Sequence, residues 1–180
     1  MIDRTKNAIV DSFNTLIKTT EFEYITSKKI ADVAGISKAT FYRYFKDKYE
    51  VMNYNYKALL DRLLQSPNCT DYRSLYYMLF SIGKRDWQFL YRAFKITGSN
   101  SLSDFIYEYS METVRKITSI NRNGDGLTPS EQLQIDVFCV GISIIYRKWI
   151  FEGYPLTANE AADALFDLMP DSLKYYWFKS

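Results

Sequence analysis

Histidine is absent from the 180-residue sequence, and its absence removes several kinds of chemistry at once. Without it there is no Ser-His-Asp or Cys-His catalytic arrangement and no histidine ligand for a metal ion. The two cysteines, Cys69 and Cys139, lie far apart in the sequence, so they indicate neither a disulfide framework nor a zinc pattern. No specifically spaced set of carboxylates or lysines takes their place. We therefore expect that the chain is not an enzyme and holds no metal or cofactor.

Glycine and proline are scarce, at seven and four residues, which favours long helices over frequent turns. Hydrophobic residues make up 47% of the chain, which is too many for a disordered protein. The longest mostly apolar run, Val137–Tyr146, is about half as long as a membrane-spanning helix must be. The first residues contain no apolar signal segment. A cytoplasmic protein with no membrane partner is expected.

Charge is low overall but unevenly distributed. The formal net charge of +2 predicts no particular partner. Residues 37–48, however, contain four basic side chains and a single acid, Asp47. Such a local cationic strip on an otherwise neutral chain is a weak indication of nucleic-acid binding.

Three helices around a tight turn are predicted near the N-terminus. Arg4–Lys18 carries apolar residues at helical spacing. Thr26 can cap a second helix over Ser27–Ala34, and Gly35 can end it in a left-handed conformation. Ser37 can then cap a third, short helix. This helix–glycine–helix spacing is typical of a helix-turn-helix, whose second helix docks on DNA.

The remainder of the chain is also predicted to be helical. Asp47 and Glu50 form a capping box for a fourth helix over about 48–64, and Ser66–Thr70 is the best domain boundary. Later helices are predicted at about 71–82, 85–97, 102–120, 129–152 and 158–178, the last broken or kinked at Pro170. The predicted fold class is all-α. A helix-turn-helix DNA-binding domain would span 1–48, a connecting helix 48–65, and a helical ligand-binding and dimerisation domain 66–180.

The third predicted helix has two chemically different faces. Phe41 and Phe45 are four residues apart and should face the core. Lys38, Thr40, Tyr42 and Arg43 are then left to face outward, where hydroxyls and cations can contact phosphates or base edges. The alternative is an ordinary amphipathic hairpin with a charged, solvated face.

The run AGISKATFYRYFKDK, residues 34–48, together with Thr26 and Ile30-Ala31, resembles the N-terminal signature of TetR-type transcriptional regulators. The resemblance covers about the first 55 residues, and the helical remainder is similar to that family in length. The segment from Trp149 to Trp177 is also faintly similar to regulators of dihydroxyacetone kinase. The resemblance implies an all-α homodimer that binds double-stranded DNA at a palindromic operator and usually represses transcription.

The same resemblance implies which side chains contact DNA. The start of the second helix would contact phosphate, the third helix would contact bases, and Lys48 would bind phosphate at the start of the fourth helix. One departure from the family pattern is Ala39, where glycine is common, and Tyr44 can be either DNA-facing or packed. The full set of implied DNA-binding residues is Thr26, Ser27, Ser37, Lys38, Thr40, Tyr42, Arg43, Tyr44 and Lys48.

Aromatic residues are abundant in the C-terminal part, and 17% of the whole chain is aromatic. Such rings could line a cavity for a flat or apolar small-molecule effector, or they could simply fill a helical core. The candidate ligand-binding residues are Tyr76, Phe80, Trp87, Tyr91, Phe94, Phe105, Tyr109, Phe138 and Tyr146.

Ile135–Phe151 is apolar on nearly every side of the predicted helix. A helix without a polar face must be covered all round, which a homodimer interface made by the helices at about 129–152 and 158–178 would achieve. The alternative is a central helix within a monomer.

The resulting expectation for function is a repressor released by a small-molecule effector. The alternative is a DNA-binding or protein-interaction co-regulator that has no small-molecule ligand.

Overall fold

The computed structural model describes residues 4–98, 100–122, 126–153, 155–174 and 176–177. These residues form helices and no strands, which confirms the all-α prediction. The helices are α1 (Arg4–Thr19), α2 (Ser27–Val33), α3 (Lys38–Tyr44), α4 (Lys48–Leu64), α5 (Tyr72–Arg85), α6 (Trp87–Phe94), α7 (Leu102–Asn121), α8 (Pro129–Glu152), α9 (Ala158–Leu168) and α10 (Asp171–Lys174), with a short 3-10 turn at Phe22–Tyr24. None of the helices in these ranges has the length and apolarity needed to cross a bilayer.

Capping residues explain where several helices begin. The hydroxyl groups of Thr128 and Thr157 accept the backbone N–H groups of Glu131 and Glu160, and both glutamates return a bond to the capping residue. A Thr-x-x-Glu spacing of this kind is the sequence signature of a capping box. At α4 the prediction holds only in part. Asp47 accepts the Glu50 N–H at 2.8 Å, but the Glu50 carboxylate accepts the N–H of the residue before Asp47.

The last predicted helix, 158–178, is wrong in extent. Helix α9 ends at Leu168, and Met169 is extended because the following Pro170 disfavours a helical conformation before it. The break at Pro170 was predicted, but the chain then forms only the short α10, and residues 176–177 lie outside any helix. The predicted helix over 85–97 likewise shortens to α6.

The chain forms two compact units. The first comprises Met1–Leu59 and Gln88–Leu102, and the second comprises Leu60–Trp87 and Ser103–Ser180. The inclusion of Gln88–Leu102 in the first unit did not follow from the sequence. The functional division into 1–48, 48–65 and 66–180 stays a prediction, because compactness does not say what each part binds.

The first unit is organised around the apolar stripe of α1. Ile9, Phe13 and Ile17 are fully buried, together with residues from α2 and α3. The Arg92 guanidinium donates to the backbone oxygens of Ile17 and Thr20 at 2.8 and 3.2 Å. It thereby satisfies carbonyl groups that the end of α1 leaves without helical partners.

The second unit packs α5 against α8 and α9. The two helices α5 and α8 approach closely at Gly83, where a Cβ atom would lie 2.9 Å from the Tyr146 hydroxyl and 3.1 Å from the Trp149 ring. The Tyr146 hydroxyl donates to the Leu79 carbonyl at 3.1 Å. Near the other end of the unit, Arg122 pairs with Glu131.

Candidate nucleic-acid interface

The turn between α2 and α3 has a geometry that only glycine adopts without strain. Gly35 has φ +67°, and its N–H donates to Asp32 O at 3.2 Å, while the Ile36 N–H donates to Ala31 O at 3.0 Å. This bond pair is a Schellman motif, which closes α2 and redirects the chain. Nothing lies within 4 Å of the place of a Gly35 Cβ, so glycine is required by the backbone angle and not by space.

Helix α3 starts at a firmly held cap. The Ser37 hydroxyl accepts the Thr40 N–H at 3.0 Å, and the two side-chain hydroxyl oxygens are 2.9 Å apart. Both residues were predicted to contact DNA. Because their hydroxyl groups already bond each other, Ser37 and Thr40 fix the direction of α3 as well as offering oxygens to a partner.

The two faces of α3 are arranged as the sequence pattern predicted, with the exception of Thr40. Phe41 and Phe45 are buried. Lys38 and Arg43 are exposed, and Tyr42 is 50% exposed, with the Lys38 ammonium 5.6 Å from the Tyr42 ring centre. Exposed cations beside an exposed tyrosine ring form a surface suited to DNA, whose phosphates are anionic and whose bases carry apolar groups.

Two of the predicted DNA contacts on α3 occupy intermediate positions. Tyr44 and Thr40 are half-buried, so neither is simply outward-facing. For Tyr44 the sequence left both orientations open, and the half-buried ring lies between them.

The Lys48 ammonium is engaged within the first unit. It donates to the Phe22 carbonyl at 2.7 Å and to the Glu23 carbonyl at 3.3 Å, and it lies 4.3 Å from the centre of the Phe22 ring. Burial lowers the pKa of Lys48, against the opposing effect of the Glu23 and Asp47 charges. Lys48 thus fastens the start of α4 to the 3-10 turn, and its contact with phosphate stays a prediction.

The start of α2 provides a second exposed polar surface. The Thr26 hydroxyl accepts the Lys29 N–H at 3.2 Å, and Ser27 is half-buried in the first turn. The Lys29 ammonium donates to the Tyr24 carbonyl at 2.9 Å and remains exposed. Lys29 and the 65% exposed ring of Tyr24 were not among the predicted contacts.

The nine candidate ligand residues are distributed over both units. Tyr91 and Phe94 belong to the first unit and the other seven to the second. In the second unit the Tyr76 ring lies 6.3 Å from Phe138, and the Phe80 ring lies 5.5 Å from Tyr146. These edge-to-face contacts are of the kind that aromatic rings make in helical cores. Whether these residues bind a ligand stays a prediction.

The remaining second-unit candidates have individual surroundings. The Tyr109 hydroxyl donates to Asp61 at 2.6 Å, and burial followed by that carboxylate raises the pKa of Tyr109. Its ring is tilted against that of Phe105, at 5.8 Å. Trp87 is 49% exposed. In this unit Phe138 lines one cavity and Trp87 lines another.

Helix α8 presents an exposed apolar stripe. Leu133, Val137, Val140 and Ile144 are spaced at helical periods, and each is exposed, Val137 by 66%. Leu133 and Val137 of this stripe also line a groove of about 500 Å³. Leu168 on α9 borders that groove and is 73% exposed. The opposite side of α8 is buried within the unit. Thus one side of this helix is covered by its own chain, and the other is apolar but uncovered among the described residues.

Comparison with known proteins identifies the N-terminal segment. Residues 14–54 match the family described as bacterial regulatory proteins, tetR family. No curated protein sequence matches the chain. The matched range contains the whole α2–α3 pair and the start of α4, so the predicted resemblance of the N-terminal segment to TetR-family regulators is confirmed.

Solved structures share the fold over nearly the whole chain. The dihydroxyacetone kinase operon activator DhaS has 18% identity and a TM-score of 0.65, covering 96% of this chain and 97% of that one. The fatty acid degradation regulator FadR from Bacillus halodurans has 16% identity and a TM-score of 0.59, with the same coverage. NalD, the secondary repressor of the MexAB-OprM multidrug efflux pump in Pseudomonas aeruginosa, has 14% identity and a TM-score of 0.55, covering 98% and 100%. At these identities the likeness establishes the fold.

Proposed function

Because its N-terminal segment belongs to the TetR family, we propose that this protein is a homodimeric repressor that binds a palindromic operator and is released by a small-molecule effector. The observation that carries the proposal is the outer face of α3. There Lys38, Tyr42 and Arg43 are exposed, while Phe41 and Phe45 anchor the buried side of the helix. The cytoplasmic location expected from the sequence belongs to the same proposal, since operator DNA lies there.

The side chains on and around α3 divide by role. Lys38 and Arg43 supply cations for phosphate oxygens or for guanine edges, and the Tyr42 ring and the Thr40 methyl group can contact thymine methyls. Ser37, Thr26 and Ser27 stand at helix starts, where N–H groups favour phosphate. Phosphate contacts would give affinity that falls steeply with salt, and base contacts would give sequence preference.

The exposed stripe of α8 supports the dimer. An apolar surface is formed by Leu133, Val137, Val140 and Ile144 together with Leu168 of α9. In a two-fold dimer this surface would pack against its own copy on the second chain. Two such chains carry two α3 helices related by a two-fold axis. A palindromic operator with half-sites about one helical turn apart, roughly 34–36 Å, would match them.

The proposal includes the sign of regulation and release by an effector. DhaS is an operon activator and NalD a repressor, so the shared fold is compatible with either sign of regulation. An effector can lower operator affinity only by binding the DNA-competent conformation less well than another. The core-like packing of Tyr76, Phe80 and Tyr146 favours the second candidate, a co-regulator without a small-molecule ligand, more than the sequence did.

The test uses purified protein and a random-sequence duplex pool. We expect enrichment of a palindrome, and loss of binding to the enriched duplex in the double variant Lys38→Ala/Tyr42→Ala. Both positions are exposed, so the variant should fold, as circular dichroism can verify. Lys116→Ala, on an exposed lysine of α7 outside the α8 stripe, serves as the matched control. Unchanged binding by the double variant would overturn the proposal.

A further inference from the structure

A cavity in the second unit lies beside the core aromatic contacts, since its wall residue Trp149 also packs against Phe80 at 5.1 Å between ring centres. Its volume is about 790 Å³, and it is formed by the end of α5, the first residue of α6, the end of α8 and the start of α9. Its lining residues include Tyr77, Ser81, Lys84, Trp87, Trp149 and Thr157. The volume lies within the range of about 300–1,000 Å³ that is usual for small-molecule sites.

The aromatic rings of this cavity are unusually accessible. Trp87 is 49% and Tyr77 41% exposed, although large aromatic side chains usually gain more from burial than any others. Trp149 is half-buried, and its indole N–H donates to the Leu156 carbonyl at 3.4 Å, which holds the ring at the cavity wall. The rings provide flat apolar faces suited to a planar ligand.

Lys84 supplies the only formal charge among the described residues that line the cavity. No residue in the described ranges pairs with its ammonium group by a hydrogen bond or an ion pair. The next two residues, Arg85 and Asp86, neutralise each other at 2.8 Å. An unpaired cation beside aromatic faces favours an anionic ligand and repels a cationic one.

The nearest acid of α9 does not cancel this preference. The Glu160 carboxylate accepts both the N–H and the hydroxyl of Thr157 at 2.8 Å. These bonds lower the pKa of Glu160, and they hold its charge in the capping box at the start of the helix. The Ser81 hydroxyl remains as a neutral donor on the α5 side of the cavity.

We propose that this cavity binds a planar aromatic carboxylate, whose ring system packs against Trp87, Trp149 and Tyr77 and whose carboxylate pairs with Lys84. This chemistry differs from that of the core tyrosines, which offer hydroxyl groups but no cation. The site requires neither DNA nor a second copy of the chain.

Binding here has a route to the DNA-binding unit through the chain itself. Trp87 is the first residue of α6, and the segment that follows it directly, Gln88–Leu102, belongs to the first unit. A ligand that reorients Trp87 therefore acts on the residue that leads into that unit. This consequence rests on the proposed function, whereas binding of the carboxylate does not.

Isothermal titration calorimetry with 2-naphthoate tests the site, with the neutral 2-naphthamide as its isostere. We expect 2-naphthoate to bind the folded wild type, and Lys84→Met to weaken its binding about fivefold, the upper range for an exposed ion pair. The amide should bind wild type and Lys84→Met equally. Trp87→Ala should weaken both probes about tenfold. Lys116→Met, on an exposed lysine of α7 outside the cavity, is the matched control and should change nothing.

Absence of 2-naphthoate binding at millimolar concentration, or equal binding by wild type and Lys84→Met, overturns the site. Since Lys84 is exposed, its variant stays informative even if Trp87→Ala does not fold. A separate titration measures binding to the enriched duplex with and without 2-naphthoate. If naphthoate binds but no duplex is enriched, the regulator proposal fails and the site stands. If both bind without affecting each other, the coupling through Trp87 is wrong.

Discussion

Val137→Glu is the substitution that most sharply tests the proposed dimer. Val137 is 66% exposed at the middle of the α8 stripe, so the single chain can accommodate glutamate there without loss of its own core. In a symmetric dimer the same position is covered by the partner and occurs twice. Burial of an unpaired charge costs about 3 kcal/mol or more per copy, so about 6 kcal/mol per dimer is expected. That corresponds to a dimer dissociation constant raised about 10⁴-fold.

Sedimentation velocity over a concentration series measures this change directly. Val33→Glu is the matched control, because Val33 is 52% exposed on α2 in the first unit and lies outside the stripe. We expect a dimer for wild type and for Val33→Glu, and a folded monomer for Val137→Glu, with the same helix content by circular dichroism. A Val137→Glu protein that remains as dimeric as wild type would refute the assignment of this face.

Three further perturbations follow from local geometry. Gly83→Ala should lower the free energy of unfolding by about 1–2 kcal/mol in urea titration, because the new Cβ would lie 2.9 Å from the Tyr146 hydroxyl. The Arg122 guanidinium, followed by bonds from Thr128, lowers the pKa of Glu131 to about 2. The stability that this carboxylate provides is therefore complete above its unfolded pKa of about 4.3 and is lost as pH falls toward 2, so Glu131→Gln should flatten the acid limb of a stability–pH curve. Lys38→Ala should reduce the slope of log affinity against log salt by about 2 per dimer, since each phosphate contact contributes about 0.9.

Each of these expectations has a result that would count against it. A Gly83→Ala protein as stable as wild type would mean that α5 and α8 separate at little cost. An acid limb unchanged by Glu131→Gln would mean that Glu131 has the same pKa in the folded and unfolded states. The pair with Arg122 would then contribute no pH-dependent stability. An unchanged salt slope for Lys38→Ala would remove the lysine from the phosphate contacts, even if its loss altered sequence preference.

The N-terminal helices could be predicted because their signals are local. Thr26 and Ser37 cap helices within three residues of themselves, and Gly35 ends α2 through its own backbone angle. The inward direction of Phe41 and Phe45 follows from helical spacing alone. These features do not depend on where the rest of the chain goes.

Features that depend on contacts distant in sequence could not be predicted. The Lys48 ammonium bonds a carbonyl 26 residues earlier, and Arg92 bonds carbonyls at the end of α1. Neither partner is marked by side-chain chemistry, since any residue supplies a backbone oxygen. The sequence-based division placed Gln88–Leu102 in the C-terminal domain, whereas its contacts place it in the first unit. Those contacts are also distant in sequence and so left no local signal.

The candidate ligand residues show a different limit. Aromatic abundance predicted rings in the C-terminal part but could not separate core packing from a cavity wall. Phe80 and Tyr146 pack against each other, while Tyr77 and Trp149, which were not among the candidates, line the cavity that also contains Lys84. A lysine left without an acid at helical spacing was the signal that could have indicated it.

If the outward face of α3 contacts bases in the major groove, replacing Tyr42 should change which bases the protein prefers. Random duplex pools should be enriched in parallel with wild type and with Tyr42→Phe and Tyr42→Ala. We predict that wild type enriches a palindrome, and that Tyr42→Ala relaxes the preference only at one symmetric pair of positions, one in each half-site. An enriched sequence identical for wild type and Tyr42→Ala, or one without two-fold symmetry, would contradict the account.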